Sequence, residues 1–265
     1  MQVRPLATAL ALVAGATAFA APSGPATTQR LKIVSTNHQV IDLTALGGPE
    51  QVTHLITSTY VTITATDSAG GRAVKLVVDS ARADSIDSPV PIDPATFDSL
   101  RGTTATGWVS PTGVLQNIAG TGARGAQMGG LLRTLFPHVA PRAKVGDRWT
   151  DTTESAGEAE GLPQGTSTKR ITNWSVTGEE NVGGVKARKI ESAYSQSIAG
   201  EVQSGQGAIG LDGTGTGNAS FLLAPDGRQL GFQSNLTLTL SLAAPQAPEP
   251  IPLRLTTAVV ATPIR

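Results

Sequence analysis

The chain has 265 residues, 20 basic and 20 acidic side chains that cancel to a formal charge of zero, and no cysteine. The balanced charge excludes the basic excess by which nucleic-acid binders release counterions. The missing cysteine excludes disulfides, a thiolate nucleophile and any thiolate metal site.

The first twenty residues read as an export signal. Arg4 gives a positive start, a mostly apolar run extends from Leu6 to Ala18, and Ala18-Phe19-Ala20 meets the small-x-small rule, which puts cleavage between Ala20 and Ala21. The run is too short for a membrane span, and no cysteine follows it to carry a lipid. The mature chain is therefore expected in the periplasm or outside the cell, without an integral span and not as a lipoprotein. Residues 21–30, rich in Pro, Ala and Thr, read as a flexible linker.

Leu31 to Leu43 has room for one or two strands. Val61, Ile63 and Ala65 share one face of the next strand, and Asp67 to Gly71 is a turn. Val74, Leu76 and Val78 share a face of the return strand, completing a hairpin. Pro89, Pro91 and Pro94 break residues 83–94 and argue against a central strand there, while Asp93 and Pro94 open a short helix expected over about 93–100. A second hairpin turns at Ser110-Pro111-Thr112-Gly113. An amphipathic helix follows over about 123–136, where Met128, Leu131, Leu132, Leu135 and Phe136 form one stripe; Pro137 stops it.

Beyond residue 148, turn signals at Gly183-Gly184, Gly200 and Ala224-Pro225-Asp226-Gly227 divide the chain into an antiparallel meander. Leu236, Leu238, Leu240 and Leu242 alternate with Thr237, Thr239 and Ser241. Phe232 extends that apolar side, and Ile251, Leu253, Leu255 and Val259 repeat it. Successive side chains in a strand point to opposite faces, so each leucine row is one oily face of a sheet. The expected fold is mainly β: one large antiparallel, strongly curved sheet or incomplete barrel of about 10–12 strands, with both helices on its apolar face. Residues 31–265 form a single β-rich domain, divisible into halves 31–120 and 148–265 joined by 121–147. An outer-membrane barrel is excluded, because two tyrosines and three tryptophans cannot build two aromatic girdles.

The chemical motifs dissolve on inspection. Gly120-Thr121-Gly122-Ala123-Arg124-Gly125 has the glycine spacing of a dinucleotide site, but no parallel strand with a terminal acid follows it. Asp212 to Asn218 lacks the ligand set of a calcium loop. His38, His54 and His138 have no second histidine or glutamate at metal-ligand spacing, so no zinc site is expected. No G-x-S-x-G elbow occurs. Lys144 to Trp149 reads as a tight turn with a packing tryptophan. No catalytic, cofactor or metal residue is singled out, and the chain reads as non-enzymatic.

The order of these parts carries a resemblance. A β half, a proline-turn hairpin, a helix ending in Leu135-Phe136-Pro137, a Val145-Gly146-Asp147-x-Trp149 turn and a long meander resemble an uncharacterised family of secreted bacterial β-rich proteins. More distantly the layout is similar to the LolA/LolB and LppX type of lipoprotein and lipid carriers. That resemblance implies an incomplete barrel closed by helices around an apolar cavity. The leading expectation is a binding protein for an apolar or lipid-like ligand, with Leu131, Leu135, Phe232, Leu236, Leu238, Leu240, Leu253 and Leu255 as candidate lining. A structural or surface-interaction protein with a filled core is the alternative. A hydrolase with an unsigned site is the third reading.

Overall fold

Alternation of buried and exposed side chains governs most of the backbone. A computed structural model describes residues 26–68, 70–121, 124–139, 143–157, 162–204, 207–245 and 247–264; the expected export signal lies outside them. The elements are β1 (Ala26–Ile41), β2 (Gln51–Ser68), β3 (Gly71–Asp87), α1 (Ala95–Asp98), β4 (Thr104–Val109), β5 (Leu115–Thr121), α2 (Gly125–Leu135), β6 (Arg148–Ala156), β7 (Thr166–Val182), β8 (Val185–Ser204), β9 (Gly207–Leu223), β10 (Gln229–Ala243) and β11 (Ile251–Ile264).

All eleven strands form one sheet in the order β5-β4-β3-β2-β1-β11-β10-β9-β8-β7-β6. Every neighbouring pair is antiparallel. Two meanders, β1–β5 and β6–β11, meet where the first and last strands pair, from Arg30↔Ile264 to Ile41↔Leu253. The sheet is not closed: β5 and β6 are its edges, and α2 connects them in sequence while packing on β4 and β5.

Residues 26–30, expected as linker, instead begin β1. Ala26 pairs with Thr66 and Arg30 with Thr62, the Thr27 hydroxyl donates to the Ala65 carbonyl, and Gln29 and the Gln229 backbone bond each other in both directions. A polar composition favours disorder only while nothing takes up the backbone groups; here β2 does. Strand β3 continues through residues 83–87 paired with β2 alone, since β4 pairs only with Arg72–Val77, and it stops short of Pro89, so no central strand forms over 83–94. The strand continues by bulging: its register against β2 skips Asp79 and Asp84. Thr62 Oγ1 donates to Asp79 Oδ2 at 2.8 Å, and the Ser58 hydroxyl donates to Asp84. Bulges bend a strand and increase its twist, so these two aspartates help the sheet curl.

The curl is visible in the core. One apolar cluster combines Leu31 of β1, Val61 of β2, Leu76 of β3, Ala105 of β4, Met128, Leu132 and Leu135 of α2, Val176 of β7, Ile190 of β8, Phe221 of β9, Phe232 of β10 and Ala261 of β11. Strands so far apart in sheet order can share a cluster only if the inner face wraps around the helix. A second cluster, Ile198, Leu211, Leu238 and Leu240, lies further along the same face. The β10–β11 register runs without a slip from Phe232↔Ala261 to Leu242↔Ile251, so parity is preserved between the two clusters.

Glycines on β9 let those leucines settle. Gly213, Gly215 and Gly217 face inward, and Leu240, Leu238 and the Tyr194 ring lie over them in that order. A Cβ at Gly213 would stand 2.5 Å from the Thr239 carbonyl oxygen and 2.9 Å from Leu240 Cα. The Gly-Thr alternation that superficially suggested a calcium loop is a packing groove.

Candidate functional site

Four connections converge at one end of the sheet. The β4–β5 turn closes through Gly113 N donating to Ser110 O at 2.9 Å, and the β9–β10 turn through Gly227 N donating to Ala224 O at 2.9 Å. Both glycines hold positive φ, +84° and +81°, where a side chain would be strained. The β2–β3 turn and the exit of α2 complete the ring. Between them lies a cleft of ≈ 300 Å³. Leu135, Phe136, Pro137, Val139, Val109, Leu223 and Pro225 give it apolar walls, and Asp67, Arg72, Arg188 and Asp226 give it charge.

The charged groups hold one another in place. Arg72 Nε donates to Asp67 Oδ1 at 2.8 Å and its Nη1 to the Asp226 carbonyl oxygen. Arg228 Nε donates to Asp226 Oδ2 at 2.7 Å, and Arg188 Nη1 to Ala143 O at 3.1 Å. Burial disfavours charge on Asp226, but the Arg228 amide and guanidinium, with Arg72 beyond, outweigh it and hold the carboxyl below its ordinary value. Behind the cleft a gap of ≈ 20 Å³ separates Leu135 and Phe136 from Ile63 and Gln229. Gln229 is 4 % exposed, and its Oε1 is buried without a hydrogen-bond partner; a gap of that size has room for one water.

Of the eight candidate lining residues, Leu135 borders the cleft. Leu131 is half-buried against the helix-side cluster, which contains Phe232. Leu238 and Leu240 are buried in the second cluster, with Leu236, Leu253 and Leu255 packed against it. The structure thus divides the residues between two regions of one face. The polar residues and prolines that build the cleft escaped sequence reasoning, because Asp67, Pro225 and Asp226 read only as turn residues, Pro137 as a helix stop, and Arg72 and Arg188 as ordinary strand positions.

The histidines fall in two places. His38 stands opposite His54 across β1 and β2, with ring centroids 6.1 Å apart. His138 Nδ1 lies 2.5 Å from Asp151 Oδ2, and the His138 carbonyl accepts Trp149 Nε1 at 3.1 Å. These bonds fasten the segment after α2 to β6. Trp149 in turn stacks on Trp174 at 6.1 Å and 9°, and Lys144 N donates to Asp147 Oδ2 at 2.7 Å, so the Lys144–Trp149 segment is a turn that delivers a packing ring. A carboxylate-held imidazole is the orienting part of a triad. Ser110, the serine of the cleft, bonds instead to Thr112 and the Val114 amide.

Gly120 and Gly125 also find a structural use: a Cβ on Gly120 would overlap the Gly125 backbone, so these glycines let β5 and the start of α2 touch; Gly122 and Ala123 lie outside the described residues. Among the described residues no group of three or more His, Asp or Glu is placed to hold a metal, and no helix is long and apolar enough to cross a membrane.

No protein-family model and no curated protein matches the chain. Two solved structures do, both of OmpT, an outer membrane protein of Vibrio cholerae. A loop L8 deletion mutant has a TM-score of 0.18 and the in-vitro folded trimer form 0.16. Each is 8% identical and covers 89% of this chain and 99% of that chain. At those scores the likeness carries no argument about this protein.

Proposed function

We propose that the protein is an exported, non-enzymatic binding protein that takes an apolar or lipid-like small molecule at the open end of its curved sheet. The cleft carries this reading. Its volume, ≈ 300 Å³, falls at the lower end of the range of small-molecule sites, and apolar walls with a few fixed polar groups are the usual composition of such sites. Leu135 and Phe136 would meet the apolar part of a ligand, and the rim of Arg72 and Asp226 its polar end. The export signal belongs to the same proposal: N-terminal sequencing of exported protein should begin at Ala21.

Native mass spectrometry of the protein purified from its host, together with binding of a lipid extract, tests the reading. A bound apolar species that is lost in Val109→Trp, which fills the cleft, is the expected result. Protein that carries nothing and takes nothing from the extract would overturn it. The structural alternative would then stand, and one observation already favours it: beneath α2 the face is filled, with Leu31, Leu76 and Leu132 each at 0% exposure.

A further inference from the structure

Two of the chain's three histidines are brought together by strand register alone. Strands β1 and β2 pair without a slip from Ala26↔Thr66 to Ile41↔Gln51, which sets His38 opposite His54. Leu31 and Ile33 on β1, and Val61 and Ile63 on β2, are buried inside. Both histidines have the opposite parity, so both lie on the outward face. Directly opposed residues hold their Cβ atoms within about 5.5 Å. The imidazole centroids are 6.1 Å apart with ring planes at 68°; His38 is exposed and His54 half-buried.

We propose that His38 and His54 form a two-imidazole site for a divalent transition-metal ion, with Cu²⁺ held more tightly than Ni²⁺ or Zn²⁺. Imidazole nitrogen suits all three ions, and Cu²⁺ ranks highest among them. Metal–nitrogen bonds of about 2.0 Å put two rings at neighbouring coordination positions with centroids about 5 Å apart. Rotation about the side-chain torsions, freest for the exposed His38, closes the remaining ångström or so. The paired backbones already fix the two residues, so the second imidazole binds as an intramolecular step. The outward face leaves the other coordination positions to water. The charges in the adjoining rows of that face are Asp87, opposite His54 on β3, and Arg254 on β11, diagonal to His38. The metal takes the neutral imidazoles, so protons compete with it. An ion bridging adjacent strands binds the folded chain and raises its stability.

Titration of the full chain with Cu²⁺ alone, followed by calorimetry and electron paramagnetic resonance, tests the site. The expected result is one tight Cu²⁺ with a two-nitrogen signature. Its affinity should fall by about tenfold or more in His38→Ala and in His54→Ala. His138→Ala should bind as the parent does. A His38 or His54 variant that keeps the parent affinity would overturn the proposal, as would loss of binding in His138→Ala with both other variants intact. Should a variant fail to fold, paramagnetic broadening of the histidine ring signals in the parent decides. Broadening at His38 and His54 supports the site; broadening confined to His138, or none, sinks it.

Discussion

A single methyl group is enough to probe the inward face of β9. At Gly213 it would meet the Thr239 carbonyl and Leu240 Cα, backbone atoms of β10 that cannot rotate away. Gly213→Ala should therefore cost about 1–3 kcal/mol, as overpacking does. Gly178→Ala on β7, whose Cβ would have nothing within 4 Å, should stay within about 0.5 kcal/mol of the parent. Urea midpoints for the two variants measure this, and equal losses would dismiss the packing argument. Asp226 makes a second prediction, through pH. Its folded-state pKa lies below the ordinary 3.8 because the Arg228 bonds and the Arg72 charge outweigh burial. A lowered folded pKa gives stability that is present above the unfolded value and is lost as pH falls through the folded one. Asp226→Asn should lower the thermal midpoint at neutral pH and flatten its decline below about pH 4. A variant whose acid limb matches the parent would contradict this.

At the scale of elements, α2 is the plug of the curled sheet, and Leu132 is its most enclosed side chain at 0% exposure. Leu132→Ala should destabilise by about 2–5 kcal/mol, from lost transfer energy and the cavity left behind. Guanidinium unfolding checks the figure, and a loss below about 1 kcal/mol would mean that the helix is not a core element. This helix was legible in the sequence because Met128, Leu132 and Leu135 repeat at helical spacing. The strands were legible because leucine and threonine alternate at period two. The start of β1 was not, since Ala26 to Arg30 has no apolar alternation of its own and is ordered by hydrogen bonds to β2 and Gln229. The His38–His54 pair was invisible for a related reason: they stand sixteen positions apart, and only register makes them neighbours. The cleft is assembled from turns belonging to both halves of the sheet, so no local pattern announces it.

At the scale of the whole molecule, the decisive contact joins the two ends of the chain. Strand β11 is the partner that both β1 and β10 need, and the Thr257–Asn37 side-chain bond across it closes a separation of 220 residues. Loop closure must be met before such a pairing rewards the chain, so refolding should take milliseconds or longer, as for other sheets dominated by distant contacts. Removing β11 should do more than subtract one strand. It would open the β1 edge and the β10 edge together, and β10 carries Leu236, Leu238, Leu240 and Leu242 in strict alternation with hydroxyl residues. An exposed apolar edge of that length templates pairing with other chains. A chain truncated after Pro250 should therefore elute as a soluble aggregate and lose its cooperative unfolding transition. A truncated chain that remained monomeric and unfolded in one sharp step would show instead that each meander folds alone, with the β1–β11 seam merely docking two finished halves.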